Sequence, residues 1–254
     1  MSGALTTYNP ETYARKWLPT DVDLSTWEKI EPWYQKLEAR EVHSAADLEQ
    51  WLFDVGEMNA AVNQVGVERH IAYTCQTDDP AREEAHLAWV RDIEPNLKEV
   101  RNSLRKLYLE SPFRSELDRD RYFVFDRAEE NRLALFREAN IPRETELSEL
   151  EQQYQKVIGG MTVEFRGTTY TPAQMAPFLE ETDRATRQEA WELVARRRLQ
   201  DRDRLDDLFD RMVALRDEIA KEAGYPTFVE YAYHLRERFD YGVEQAVAFQ
   251  NAIE

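Results

Sequence analysis

The side chains in this sequence that could carry chemistry are four histidines, a single cysteine and one cluster of tyrosines and arginines. The histidines are His43, His70, His86 and His234. A catalytic zinc needs three protein ligands, two of them commonly one helical turn apart. No two of these histidines lie within a turn of each other in sequence, and none is followed by Glu. The H-E-x-x-H pattern, which sets two imidazoles on one helix face with a general base between them, is therefore absent. No catalytic residue and no metal ligand is assigned to this chain. Glu83 and His86 form one Glu-x-x-His, and Glu230 stands four residues before His234. A di-metal bundle needs two Glu-x-x-His pairs and two further inward carboxylates. One pair in a chain so rich in Glu reads instead as surface solvation and ion pairing. Cys75 has no second thiol to pair with, and no activating pattern surrounds it, so it reads as a packing residue. Phosphate-loop, dinucleotide and nucleophile-elbow motifs do not occur.

One local cluster suits ligand binding: Tyr231, Tyr233, His234, Arg236 and Tyr241, with Tyr225 and Arg238 among them. Phenolic hydroxyls and guanidinium groups match the carbonyls and carboxylate of a bound peptide. The same residues could equally half-bury at helix ends, ring inside and polar tip in water. Both readings stand at this point.

Helices must position these groups. Trp27, Ile30, Tyr34 and Leu37 step at helical spacing. After Ser44, an N-cap residue type, Leu48, Trp51, Val55, Met58, Val62 and Val65 continue the rhythm. A third helix is expected from about Pro80 to Glu110, kinked or restarted at Pro95 and ended by Ser111-Pro112. Another spans about Arg119 to Asn140 up to an Ile141-Pro142 break. A stripe of Leu147, Leu150, Tyr154 and Val157 then stops at Gly159-Gly160. There the period changes, and residues 162–171 read as two short strands around a tight Arg166-Gly167 turn. Thr171-Pro172 reads as an N-cap with proline at the first helical position. From Asp183 one long helical signal runs through Trp191 to Ile219 and closes at Gly224 and Pro226. Thr227 to Arg236 and Val243 to Glu254 are helical again. In the second, Val243, Ala246, Val247, Phe249 and Ile253 make a face that a following segment would cover, and no stop signal follows. That pattern leads us to expect a chain that continues.

These elements predict an all-α protein of packed helical bundles with one short β-hairpin near residues 162–171. Two subdomains are expected, a helical one over 1–160 and a hairpin-plus-helix one over 161–254. The chain has 254 residues, 42% hydrophobic and 33% charged, with six Trp and twelve Tyr. Aromatic residues at this level argue for a packed core. A net charge of −17 disfavours nucleic acid and anionic membranes as partners. No apolar run reaches membrane-spanning length, and the single cysteine suits the cytoplasm. Around Arg196-Arg197-Arg198 and Arg202, the interleaved Asp201, Asp203, Asp206 and Asp207 read as an ion-paired exposed face.

The order from Leu147 to Trp191 goes further: helix, Gly159-Gly160, the Val163-Glu164-Phe165 strand, Gly167, Tyr170-Thr171, Met175 through Leu179, Asp183-Arg184, and Arg187 to Trp191. It resembles the middle of oligoendopeptidase F-like enzymes of the thimet oligopeptidase superfamily. The Ala220 to Tyr231 stretch also looks like that family's Gly-aromatic turn between helices. The resemblance covers most of the chain. It implies the amino-terminal half of a zinc oligopeptidase, one wall of a channel admitting short peptides. In the family, H-E-x-x-H and a later Glu lie in the carboxy-terminal half, and the motif Glu polarises the metal-bound water. Nothing here corresponds to them. Zinc is thus implied for the parent enzyme, with none expected on this chain, which would be inactive alone. The implied partners are short peptides and a carboxy-terminal catalytic half. The channel residues would be Tyr231, Tyr233, His234, Arg236 and Tyr241, and residues 161–254 would begin the peptidase domain. The alternative is a non-catalytic helical module that binds peptide or protein.

Overall fold

A computed structural model of the chain describes residues 15–253. Among them the architecture is helical with a single two-stranded antiparallel hairpin, as the periodicity predicts. The helices are α1 (Trp27–Glu38), α2 (Ala45–Cys75), α3 (Pro80–Ala88), α4 (Glu94–Leu109), α5 (Arg119–Leu135), α6 (Ile141–Gly159), α7 (Arg184–Gln200), α8 (Arg202–Glu222), α9 (Phe228–Leu235) and α10 (Val243–Asn251). The hairpin strands are β1 (Val163–Phe165) and β2 (Thr168–Tyr170). The residues form two compact units. One holds residues 15–68 together with Asn96–Leu133; the other holds Arg69–Pro95 and residues 134–253.

In the first unit the apolar stripes of α1 and α2 bury Ile30, Tyr34, Leu37, Leu48, Trp51, Met58 and Val62. The polar tips of the large aromatics are satisfied as burial requires. Trp51 Nε1 donates to the Leu37 carbonyl at 2.9 Å, and the Tyr34 hydroxyl to Asn59 Oδ1 at 2.7 Å. Ser44 caps α2 through its hydroxyl, which accepts from the Asp47 N–H at 3.1 Å. Glu57 does something a stripe cannot reveal. Its carboxylate accepts the backbone N–H groups of Lys16, Trp17 and Leu18 at 2.9, 3.0 and 2.6 Å, pinning the segment before α1 onto α2. Burial alone would raise this carboxyl, but the three donors outweigh it and hold it below the usual carboxylate range.

Between α3 and α4 the helix widens into a π turn over Trp89–Ile93. The expected kink at Pro95 takes this form because proline has no N–H and its ring would meet the Arg91 carbonyl in α geometry. The wider turn, in which the Glu94 N–H bonds to the Trp89 carbonyl, accommodates it.

In the second unit α6 packs along α8, with Leu150, Val157 and Met161 against Leu208 and Met212. The hairpin closes through Arg166 (φ 53°) and Gly167 (φ 81°), two successive positive-φ residues that make the two-residue turn its sequence predicts. Val163 and Phe165 of β1 bury against Met175 and Ala190.

Several elements depart from the periodicity of the sequence. The signal from Asp183 to Ile219 is two helices, joined at Asp201. The joint lets Ala190 of α7 face the hairpin while Leu208 and Met212 of α8 face α6, and Trp191 is left 63% exposed. Helix α5 ends at Leu135, and a 3₁₀ turn at Glu138–Asn140 precedes α6. Ile141-Pro142 begins α6, with proline in its first turn where no N–H is missed. Thr171 does form a reciprocal cap with Gln174, but a short 3₁₀ segment follows at Ala176–Leu179. Cys75 is exposed at the end of α2 and does not pack. Glu254 lies outside the described residues.

Candidate functional site

The tyrosine–arginine cluster lies where α8 hands over to α9. Helix α8 ends with Gly224 at φ 90°; the Gly224 N–H bonds to the Lys221 carbonyl and the Tyr225 N–H to the Ala220 carbonyl, both at 2.9 Å. This is a Schellman stop, and glycine supplies the left-handed residue at low cost. Thr227 then caps α9 by accepting from the Glu230 N–H. Helix α9 ends the same way, with Glu237 at φ 53°, its N–H on the His234 carbonyl and the Arg238 N–H on the Tyr233 carbonyl. A non-glycine residue carries the left-handed conformation there.

These two stops divide the predicted residues into two groups. Tyr231 is 4% exposed and belongs to a core of Leu135, Ile219, Ala220 and Ala223, with Tyr225 and Phe228 packed alongside. Burial first, then the nearby Glu144 charge, pushes the Tyr231 hydroxyl up to about 12. Tyr225 stands edge-on to Tyr231 at 5.6 Å and against the His234 ring at 5.1 Å. On the other side, Tyr233 and Tyr241 meet edge to face at 5.9 Å, and the Arg238 guanidinium lies over both rings at 5.3 and 5.9 Å. Tyr241 is 46% exposed, and His234 and Arg236 are exposed at the end of α9. Tyr233, Tyr241 and Arg238 thus form one aromatic–cationic corner beside Arg236, while Tyr231 is the anchor beneath. Such a corner offers two phenol hydroxyls and two guanidinium groups to carbonyl and carboxylate oxygens.

Two groupings are invisible in the linear sequence. His70 and His86, far apart along the chain, come to 5.2 Å between ring centroids, and His86 stacks on Tyr73. Glu83, expected to be solvated or ion-paired at the surface, does pair, with Lys156 at 2.6 Å, and accepts from Gln152. His86 is therefore a half-buried partner of Tyr73. The other grouping is the link from Arg101 to Asn59 and Asn63. Among the described residues, no three His, Cys, Asp or Glu side chains converge as metal donors. These residues do not fit a catalytic zinc. The ion pairs Arg197–Asp201 at 2.5 Å and Arg202–Asp206 at 3.4 Å bear out the interleaved charged face.

Residues 21–136 match the family described as the Peptidase M3 N-terminal domain. Three solved structures share the fold. PZ peptidase A with inhibitor 2 is 23% identical, with a TM-score of 0.83 over 89% of this chain and 40% of its own. An oligoendopeptidase F solved at 3.1 Å is 24% identical, with a TM-score of 0.83 over 95% and 42%. An oligoendopeptidase F from Bacillus anthracis str. Ames is 20% identical, with a TM-score of 0.83 over 96% and 44%. No curated protein matches the chain. The fold is that of the amino-terminal portion of oligoendopeptidase F-type peptidases. The chain spans about two fifths of the length of the structures it matches. Among the described residues no helix is long and apolar enough to cross a membrane.

Proposed function

We propose that this chain serves as the amino-terminal portion of a zinc-dependent oligoendopeptidase, forming one wall of a channel for short peptides. A carboxy-terminal catalytic half carrying H-E-x-x-H would supply the metal and the water-activating Glu, and this chain alone would be inactive. The observation that carries the reading is the coincidence of fold and length. Solved peptidases share the fold over nearly all of this chain, yet the chain spans about two fifths of theirs. Residues 1–160 would be the helical subdomain, and residues 161–254 the start of the peptidase domain. Exposed apolar side chains in the latter, Trp191, Leu199, Phe209, Phe249 and Ile253, support a covering partner. In the channel, Tyr233, Arg236, Tyr241 and His234 would meet the peptide, with Tyr231 holding α9 from the core.

The test is complementation. The purified chain is assayed with a quenched fluorescent peptide, alone and with a separately produced H-E-x-x-H half from an oligoendopeptidase F. Cleavage that appears only in the mixture and is stopped by a chelator is expected. Arg236→Ala and Tyr233→Phe should raise KM in that mixture. Chelator-sensitive cleavage by the homogeneous chain alone would refute the proposal.

A further inference from the structure

The first unit contains a cleft of about 380 Å³ between α2, α4 and α5, a volume in the range of small-ligand sites. Its charge runs against that of the chain. Three arginines, Arg101, Arg105 and Arg132, line it against one carboxylate, Glu129, in a protein of net charge −17. Arg105 and Glu129 form a largely buried pair at 2.8 Å, with side chains 14% and 12% exposed, and Glu129 also takes Arg132. That leaves Arg101. Its Nε donates to Asn59 Oδ1 at 3.0 Å and its Nη2 to Asn63 Oδ1 at 2.7 Å. No carboxylate pairs with it among the described residues. Asn59 is itself fixed by the Tyr34 hydroxyl. The guanidinium is thus held along one edge by neutral amides, its charge uncompensated, with Nη1 on the remaining edge. That edge is the fork that receives a carboxylate or phosphate.

The lining of the cleft gives the second, independent observation. Gly56, a solvent-exposed residue in the middle of α2, lies on the same stripe as Asn59 and Asn63, where glycine weakens a helix relative to alanine. No close neighbour requires it, because a Cβ built there meets nothing within 4 Å. What a side chain at this position would do is fill the cleft. Trp51, Val55, Leu104 and Phe125 supply apolar walls beside the charge.

We propose that this cleft binds a small organic anion, its carboxylate or phosphate on the outer edge of Arg101 and its apolar body over Gly56. This site is independent of the peptide-channel reading. The full chain is titrated by calorimetry with N-acetyl-leucine, its uncharged amide, and phenyl phosphate. Saturable binding of at least one acid is expected, with a Kd of roughly 0.1–1 mM for so small a ligand and at least tenfold weaker binding of the amide. Comparing the two acids decides between carboxylate and phosphate, and either supports the shared chemistry. Arg101→Gln should weaken binding at least tenfold. Gly56→Leu should abolish it while leaving the helical circular dichroism intact, because the new side chain enters open space and favours the helix. Equal binding of acid and amide, undiminished binding by a folded Gly56→Leu, or no saturation by either acid up to about 10 mM would overturn the proposal.

Discussion

Glu57 offers the sharpest test of how the first unit is held together. Its carboxylate takes three consecutive backbone N–H groups, from Lys16, Trp17 and Leu18, and the last two lie in partly buried surroundings. A hydrogen bond to a charged group contributes about 1.5–3 kcal/mol, and an exposed one the low end or less. Because the three share one anchor they are not additive, and we expect Glu57→Ala to cost about 3 kcal/mol. For a chain of this size that is a fall in Tm of about 6–12 °C. Glu57→Gln separates charge from geometry. The amide oxygen can still accept from Trp17 and Leu18, but its NH₂ would face the Lys16 N–H, so the loss should be about 1–1.5 kcal/mol. The carboxyl is held below its unfolded value of 4.5. Its contribution is therefore full above that value and lost as pH falls through 4.5 towards the folded value. The gap between wild type and Glu57→Gln should narrow as pH drops through that window, measured by urea unfolding at a series of pH values. A Glu57→Ala protein within about 0.5 kcal/mol of wild type, the range of an inert surface change, would refute the clamp.

Other consequences follow from the second unit. Tyr231→Ala should destabilise by about 3–5 kcal/mol, as for a buried aromatic, while Tyr233→Phe should stay within about 0.5 kcal/mol in the same unfolding assay. Gly224→Ala should cost about 1–2 kcal/mol, because alanine resists the φ of 90° that ends α8; an unchanged urea midpoint would remove that argument. Burial, and then the neighbouring His70, hold His86 below its ordinary value of 6.5, so the fold prefers the neutral ring. Stability from this group is full above pH 6.5 and declines as pH falls through it towards the folded value. His86→Leu should flatten the Tm profile just below that pH, and parallel profiles would count against it.

What could be read from the sequence was local, and what could not was relational. The stripes of α1 and α2, the Gly159-Gly160 stop, the Arg166-Gly167 turn and the Gly224 stop each follow from residues within one turn of one another. The joint at Asp201 carries no glycine or proline, so an unbroken helix was the natural reading; the break answers to partners on α6 and the hairpin. Trp191 looked like a core residue by spacing, yet Ala190 takes the inward position. In the candidate site, Tyr231 and Tyr233 are indistinguishable as residues of one short helix, and only packing separates anchor from exposed ring. The Arg101–Asn59 bond spans 42 residues, and no periodicity signals it.

The π turn at Trp89–Ile93 has a consequence for how this chain can change in length. A π turn is an α-helix with one additional residue wound into it, so the flanking segments keep the faces they would have if that residue were missing. Counting helical positions straight from Leu87 to Leu97 across the insertion misplaces later side chains by about 100°. In isolation the additional residue could be deleted without disturbing either flank. Pro95 prevents that, since in the resulting regular helix its ring would collide with a carbonyl one turn back, at a cost of about 3 kcal/mol. The deletion becomes accessible only after Pro95 is replaced, and Pro95 itself is tolerated only while the additional residue is present. The two features act as a ratchet: a lineage that acquired both can shed them only in one order, proline first.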